Sequence, residues 1–143
     1  MMSAVLEHAK KFFHACESAE GWAGCAQYVA PAARFDCVAA SQAGVHTVEA
    51  YCEQIRLAFT LTFVGSDYKL CAAAHDPSTQ TVLIHGESLA CHSGEGGPVP
   101  ASGARAIIPF VYIMKMDENG KLSHLQKIYD EASSRKQLGW PPL

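Results

Sequence analysis

The apolar residues of this chain change their period near the middle of the sequence, and that change restricts the fold more than any other feature. Up to about residue 59 they recur at helical spacing. Val5, Ala9, Phe12, Phe13 and Cys16 make one stripe, with Glu7 and Lys11 as an i,i+4 pair on the opposite side. Trp22, Cys25, Ala26 and Val29 predict a second short helix that stops near Ala30, because Pro31 disfavours the α conformation in the residue before it. Ala33 to Ala39 reads as a short strand, with Phe35, Cys37 and Ala39 alternating against Arg34, Asp36 and Val38. Thr47 is the predicted N-cap of a third helix that buries Val48, Tyr51, Cys52, Ile55 and Phe59, with Glu49 in its first turn. From Tyr68 the period is two. Segments 68–74, 81–92, 105–116 and 122–130 read as strands, and a short helix follows Asp130 and ends at Gly139. Helices first and strands later predict an α+β domain with an antiparallel sheet.

At 143 residues the expectation is a single domain spanning 1–143. Hydrophobic residues at 49% and charged residues at 17% exclude intrinsic disorder. A formal net charge of -3 lacks the basic footprint of a nucleic-acid binder. No segment approaches the roughly twenty apolar residues that span a bilayer, so no membrane association is expected. The stretch from Met1 to Glu17 is interrupted by Glu7, His8, Lys10, Lys11 and His14, and reads as an amphipathic helix rather than a signal peptide. The six cysteines, Cys16, Cys25, Cys37, Cys52, Cys71 and Cys91, show no Cys-x-x-Cys and no zinc-finger spacing. They are read as reduced and mostly buried thiols of a cytoplasmic protein, with no cofactor and no metal expected.

The turn Asp117-Glu118-Asn119-Gly120-Lys121 sets the register of the last two strands. A two-residue Asn-Gly loop would pair Glu118 with Lys121. A three-residue loop with Gly120 left-handed would pair Asp117 with Lys121 instead. The second register is preferred because it gathers apolar residues of both strands. It sets Met116 against Leu122, Met114 against His124, Tyr112 against Gln126, Phe110 against Ile128 and Ile108 against Asp130. It also places a carboxylate, Asp130, and an amide, Gln126, on an apolar surface. Desolvation there raises a carboxyl pKa and makes it a usable acid or base near neutral pH. A second reading of Asp130, compatible with the first, is the N-cap of the terminal helix.

Other constellations carry less. His85 and His92 lie seven positions apart, so they point to opposite faces of their strand and cannot share a metal. His124 is six positions from Asp130, about 20 Å along an extended strand, too far for a dyad. Gly86-Glu87-Ser88-Leu89-Ala90 lacks the last glycine of a nucleophile elbow. Gly94-Glu95-Gly96-Gly97 lacks the strand-to-helix setting of a phosphate cradle. Gly86, Ser88 and Ala90 share one face and leave room for a cavity. His92, at a strand end, is a candidate ligand contact.

Four segments of the last third carry a resemblance: His92-Ser93-Gly94, Pro100-Ala101-Ser102-Gly103, Asn119-Gly120-Lys121-Leu122 leading to Asp130, and Gln137-Leu138-Gly139. Over about residues 85–140 the chain resembles the SnoaL-like polyketide cyclase family, within the nuclear transport factor 2-like superfamily that also holds ketosteroid isomerase-like proteins. Trp22 and Tyr28-Val29-Ala30-Pro31 are similar to that family's second helix. The chain departs from the pattern at His124 and Gln126, where a Glu and a Trp are usual, and at Phe63-Val64-Gly65-Ser66-Asp67, where Phe-Pro-Asp is common. The resemblance implies a cystatin-like cone: three N-terminal helices close over a curved mixed or antiparallel sheet and leave an apolar pocket. It further implies that Asp130 is a general acid/base in a cofactor-independent cyclisation or isomerisation of a small apolar carbonyl compound. Tyr112, Gln126, His92, Phe110, Ile108 and Trp22 are the substrate-binding candidates. The alternative is a non-catalytic dimeric module that binds a hydrophobic ligand. An apolar outer strand face of Ile107, Val111, Ile113, Leu125 and Tyr129 predicts a homodimer in either case.

Overall fold

A computed structural model describes residues 3–143. Met1 and Met2, expected at the head of the first helix, lie outside the described residues. Helix α1 (Ala4–Glu17) starts where Ser3 Oγ accepts the N–H of Leu6, and buries Ala9, Phe12, Phe13 and Cys16. Helix α2 (Gly21–Cys25) is only five residues long; a 3-10 turn over Ala26–Tyr28 follows it. Val29, expected in that helix, instead opens strand β1 (Val29–Cys37). The 3-10 turn unwinds the helix before the Ala30 that Pro31 restricts, and Val29 is drawn into the sheet by its pairing with Leu122. Helix α3 (Val48–Leu57) is capped as predicted, with Thr47 Oγ1 accepting from Ala50 N at 3.1 Å, a contact that stabilises such a helix by about 1 kcal/mol. A π-helical turn, Ala58–Thr62, extends it.

Strands β2 (Asp67–Asp76), β3 (Thr81–Cys91), β4 (Arg105–Met116) and β5 (Leu122–Tyr129) follow, and helix α4 (Glu131–Leu138) closes the chain with Gly139 as its C-cap. The sheet order is β1-β5-β4-β3-β2. Every pairing is antiparallel except β1 with β5, which is parallel, so the sheet is mixed. Register irregularities interrupt β1, β2 and the β4–β5 pair. Each inserts extra backbone on one side, which bends and twists the sheet. The helices pack on one face, and the core lies between: Phe12, Phe13, Phe35, Tyr51, Ile84 and Met114 are 1% exposed or less. Each such side chain contributes about 1.5–3 kcal/mol of burial. Among the cysteines, Cys16, Cys25 and Cys52 are buried, Cys37 and Cys91 half-buried, and Cys71 exposed, so the expectation of mostly buried thiols holds for only three. No helix of the described residues is long and apolar enough to cross a membrane.

Candidate active site

The site is made by the hairpin of β4 and β5. Its turn is the three-residue one. Asp117 N donates to Lys121 O at 2.7 Å, Gly120 has φ 73°, and Met116 stands opposite Leu122. One residue later the expected register ends. Lys115 pairs with His124, so Ser123 is an extra residue, and its Oγ donates to the Lys115 carbonyl at 3.0 Å. From there Met114 faces Leu125, Tyr112 faces Lys127 and Phe110 faces Tyr129. Every side chain of β5 beyond the bulge is turned over relative to the straight register. The reason is burial. A straight strand would have put His124 and Gln126 in the core and Leu125 outside. The bulge buries Leu125 completely and sends His124 outward, where Nε2 meets Asp36 Oδ2 at 2.5 Å.

This bulge corrects two of the expected site residues. Gln126 is off the cavity wall, and Lys127, only 8% exposed, takes its place. Asp130 is exposed and does not stand in an apolar hollow; its Oδ1 accepts the N–H of Ser133 at 3.0 Å and caps α4. The neighbouring carboxylate, Glu131, faces the cavity instead.

That cavity has a volume of about 260 Å³. Ile55, Phe59 and Phe63 come from α3 and the turn after it, Ile108 and Phe110 from β4, and Leu138 from α4. Ser88 and Ala90 supply the small wall on β3. Gly86, the third member of that face, packs too tightly to line space: a Cβ there would lie 2.7 Å from Phe110 Cζ. Ile108 and Phe110 are therefore where the sequence placed them. Tyr112 is one layer deeper. It is fully buried, and its hydroxyl lies 2.8 Å from that of Tyr51.

Lys127 is the floor of the cavity. Its Nζ donates to the Tyr51 hydroxyl at 2.8 Å and lies 4.9 Å from the Phe110 ring centroid and 5.1 Å from those of Tyr51 and Tyr129. A cation among three ring faces is stabilised by their quadrupoles. From Tyr51 the bonding continues to Tyr112, whose hydroxyl donates to the buried carboxylate of Glu17. Burial pushes both phenols well above their ordinary range. Burial also raises the Glu17 pKa, opposed by the charge of Lys127 and the bond from Tyr112. Nothing in the linear spacing of Glu17, Tyr51, Tyr112 and Lys127 signals that they meet.

The rim is polar. Glu131 accepts from the Ser41 backbone N–H at 3.3 Å, from Ser41 Oγ, and from the Tyr129 hydroxyl at 3.2 Å. Two further lining groups, Gln42 Oε1 and Gln54 Oε1, are buried acceptors without a hydrogen-bond partner. Buried carbonyls of this kind normally find a donor. The remaining two candidates are elsewhere. His92 is fully buried; its Nδ1 accepts the indole N–H of Trp140 at 3.0 Å and its Nε2 is 2.9 Å from Gly96 O. Both nitrogens are thus used, and the ring braces Phe63 and Trp140 from behind, 5.9 and 5.2 Å away by centroid. Trp22 lines a separate hollow of about 120 Å³ with Val29, Ala33 and Thr47.

No protein-family model matches this chain, and no curated protein matches it. The structure, by contrast, has close counterparts. A protein named as a SnoaL-like polyketide cyclase from Jannaschia sp. CCS1 superposes with a TM-score of 0.78 at 17% identity, covering 99% of each chain. AclR from Streptomyces galilaeus, named as a hydroxylase, gives 0.78 at 13% identity over 100% of this chain and 89% of its own. An LEH-like epoxide hydrolase from M. tuberculosis gives 0.64 at 13% identity, covering 94% and 88%. The chain has the fold of the SnoaL-like polyketide cyclases, the α+β cystatin-like fold that the resemblance implied.

Proposed function

We propose that the protein is a small enzyme that moves a proton on an apolar carbonyl compound, in a cyclisation or isomerisation. The observation that carries this reading is the placement of a lysine Nζ and a glutamate carboxylate on one apolar cavity of about 260 Å³. Lys127 takes the carbonyl oxygen and stabilises the charge that develops on it, already aimed by Tyr51. Glu131, oriented by Ser41 and Tyr129, removes and returns the proton in place of the expected Asp130. Gln42 and Gln54 accept from hydroxyl groups of the same molecule. These steps use side chains alone. Proteins of this fold named as polyketide cyclases support the reading, since such names imply chemistry next to a carbonyl.

Of the residues expected on the outer face of the sheet, Leu125 is buried and Tyr129 lines the cavity. Ile107 is 57% exposed there, with Leu83 and Ile128 at 48% and 43% on the neighbouring strands, and this apolar surface supports self-association. A second copy of the chain is the proposed occupant of that face.

The catalytic reading is tested with 1-tetralone in D2O, following exchange of its α-hydrogens by mass spectrometry. Exchange faster than in buffer is expected, lowered about 100-fold or more in Glu131→Gln and unchanged in Asp130→Asn. Binding of the ketone without accelerated exchange would leave the protein a ligand-binding module and end the enzymatic reading.

A further inference from the structure

Three helices bring three thiols to one point away from the cavity. Cys16 lies in the last turn of α1, Cys25 ends α2 and Cys52 sits in α3. Their sulfurs lie within 4.8 Å of one another, and each residue is 1% exposed or less. Small buried thiols commonly serve as packing, but packing alone does not require mutual convergence of all three sulfurs.

We propose that Cys16, Cys25 and Cys52 form a three-sulfur site for a single Cu(I) ion. The ligand set decides the class of ion. Thiolate sulfur selects soft cations. Zinc in closed sites takes four protein ligands, and with three it keeps a water in the fourth position. Among the described residues no fourth Cys, His, Asp or Glu joins this cluster. The three residues are also buried. Three-coordinate Cu(I) needs neither a further ligand nor a water. Ion entry is a proton exchange without redox change. Cu(I) forms bonds to sulfur, each thiol that ligates releases its proton to solvent, and the copper stays Cu(I). The ion would tie α1, α2 and α3 together, and it would sit beside the Tyr112 hydroxyl, which is 3.9 Å from Cys16 Sγ.

The test is an anaerobic titration of the reduced full-length protein with Cu(I) held by bathocuproine disulfonate. The expected result is withdrawal of one Cu(I) per chain from the chelator, the luminescence of a Cu(I)–thiolate centre, and a raised thermal midpoint. A variant with Cys37, Cys71 and Cys91 all replaced by Ser must behave like the parent, which keeps the test decisive should changes in the buried thiols prevent folding. Cys25→Ser and Cys25→Ala must lose the withdrawal and the thermal shift. No withdrawal by the folded parent, or equal withdrawal by folded Cys25→Ser, overturns the site. Tighter retention of Zn(II) than of Cu(I) by the same three sulfurs overturns the choice of ion.

Discussion

Lys127 Nζ lies 2.8 Å from the hydroxyl of Tyr51, and this contact joins the cavity to the interior of the protein. Because Tyr51 bonds Tyr112 and Tyr112 bonds Glu17, the one buried cation of the site is linked to a buried carboxylate through two phenols. Charges taken out of water are tolerated when they are paired and hydrogen-bonded, and here the pairing is indirect.

The pH dependence of stability follows from Glu17. Burial is the larger influence and raises its pKa in the folded protein above the ordinary 4.5, with Lys127 and Tyr112 opposing. The folded state therefore binds a proton that the unfolded state has released, so stability is full below 4.5 and declines as pH rises through the folded value. Glu17→Gln should flatten that decline. Urea midpoints measured from pH 4 upward check it, and a parent curve that rises across the same window would refute the assignment.

Deleting Ser123 should remove the bulge and keep the faces. With Leu122 still opposite Met116, His124 then follows directly opposite Lys115 and Leu125 opposite Met114, so Leu125 stays buried and Lys127 stays on the cavity floor. Chemical denaturation should show only a small change, whereas Leu125→Ala, which empties the buried position itself, should lose about 2–5 kcal/mol. An equal loss from the deletion would mean that the faces of β5 depend on more than the residue count.

Asp130 and Glu131 should separate cleanly. Asp130→Ala removes the N-cap of α4 and should lower stability by about 1 kcal/mol, with ketone binding unchanged. Glu131→Gln should leave the thermal midpoint nearly unmoved and remove proton exchange. The reverse pattern would return the chemistry to Asp130.

Filling the cavity should abolish binding and keep the fold. Ala90 is 4% exposed and lines the space, so Ala90→Leu projects three more carbons into it. Calorimetry with 1-tetralone should show no binding, while the thermal midpoint stays equal or rises. A large drop in midpoint would mean that the wall has no room for the added carbons.

Self-association is checked by sedimentation. Replacing Ile107 with Asp on the exposed outer face should shift a dimeric parent to monomer at equal concentration. A parent that sediments as a monomer removes the second copy from the proposal.

Much of this arrangement is legible in the chain before any coordinates. The stripe of Ala9, Phe12, Phe13 and Cys16 announces α1, Thr47 announces the start of α3, and the alternation of Phe110, Tyr112, Met114 and Met116 selects the buried face of β4. Local periodicity and capping decide these features, because they depend on backbone geometry within a few residues. The bulge had one trace in sequence: Leu122 and Leu125 are three apart, out of phase for a strand of period two. A longer-range cause hides the rest. β5 lies between β4 and the parallel β1, so its outward side chains must suit Arg34 and Asp36 as well.

Local pattern along the chain is enough for the α+β class, the order of helices and strands, and the tight turn at Gly120. Packing between distant elements sets Lys127 and Glu131, rather than Gln126 and Asp130, on the cavity and brings Cys16, Cys25 and Cys52 together. Those outcomes rest on one extra residue in a strand and on how three helices cross. Neither is a local property, since each is fixed by which arrangement buries the most apolar surface across elements distant in the chain.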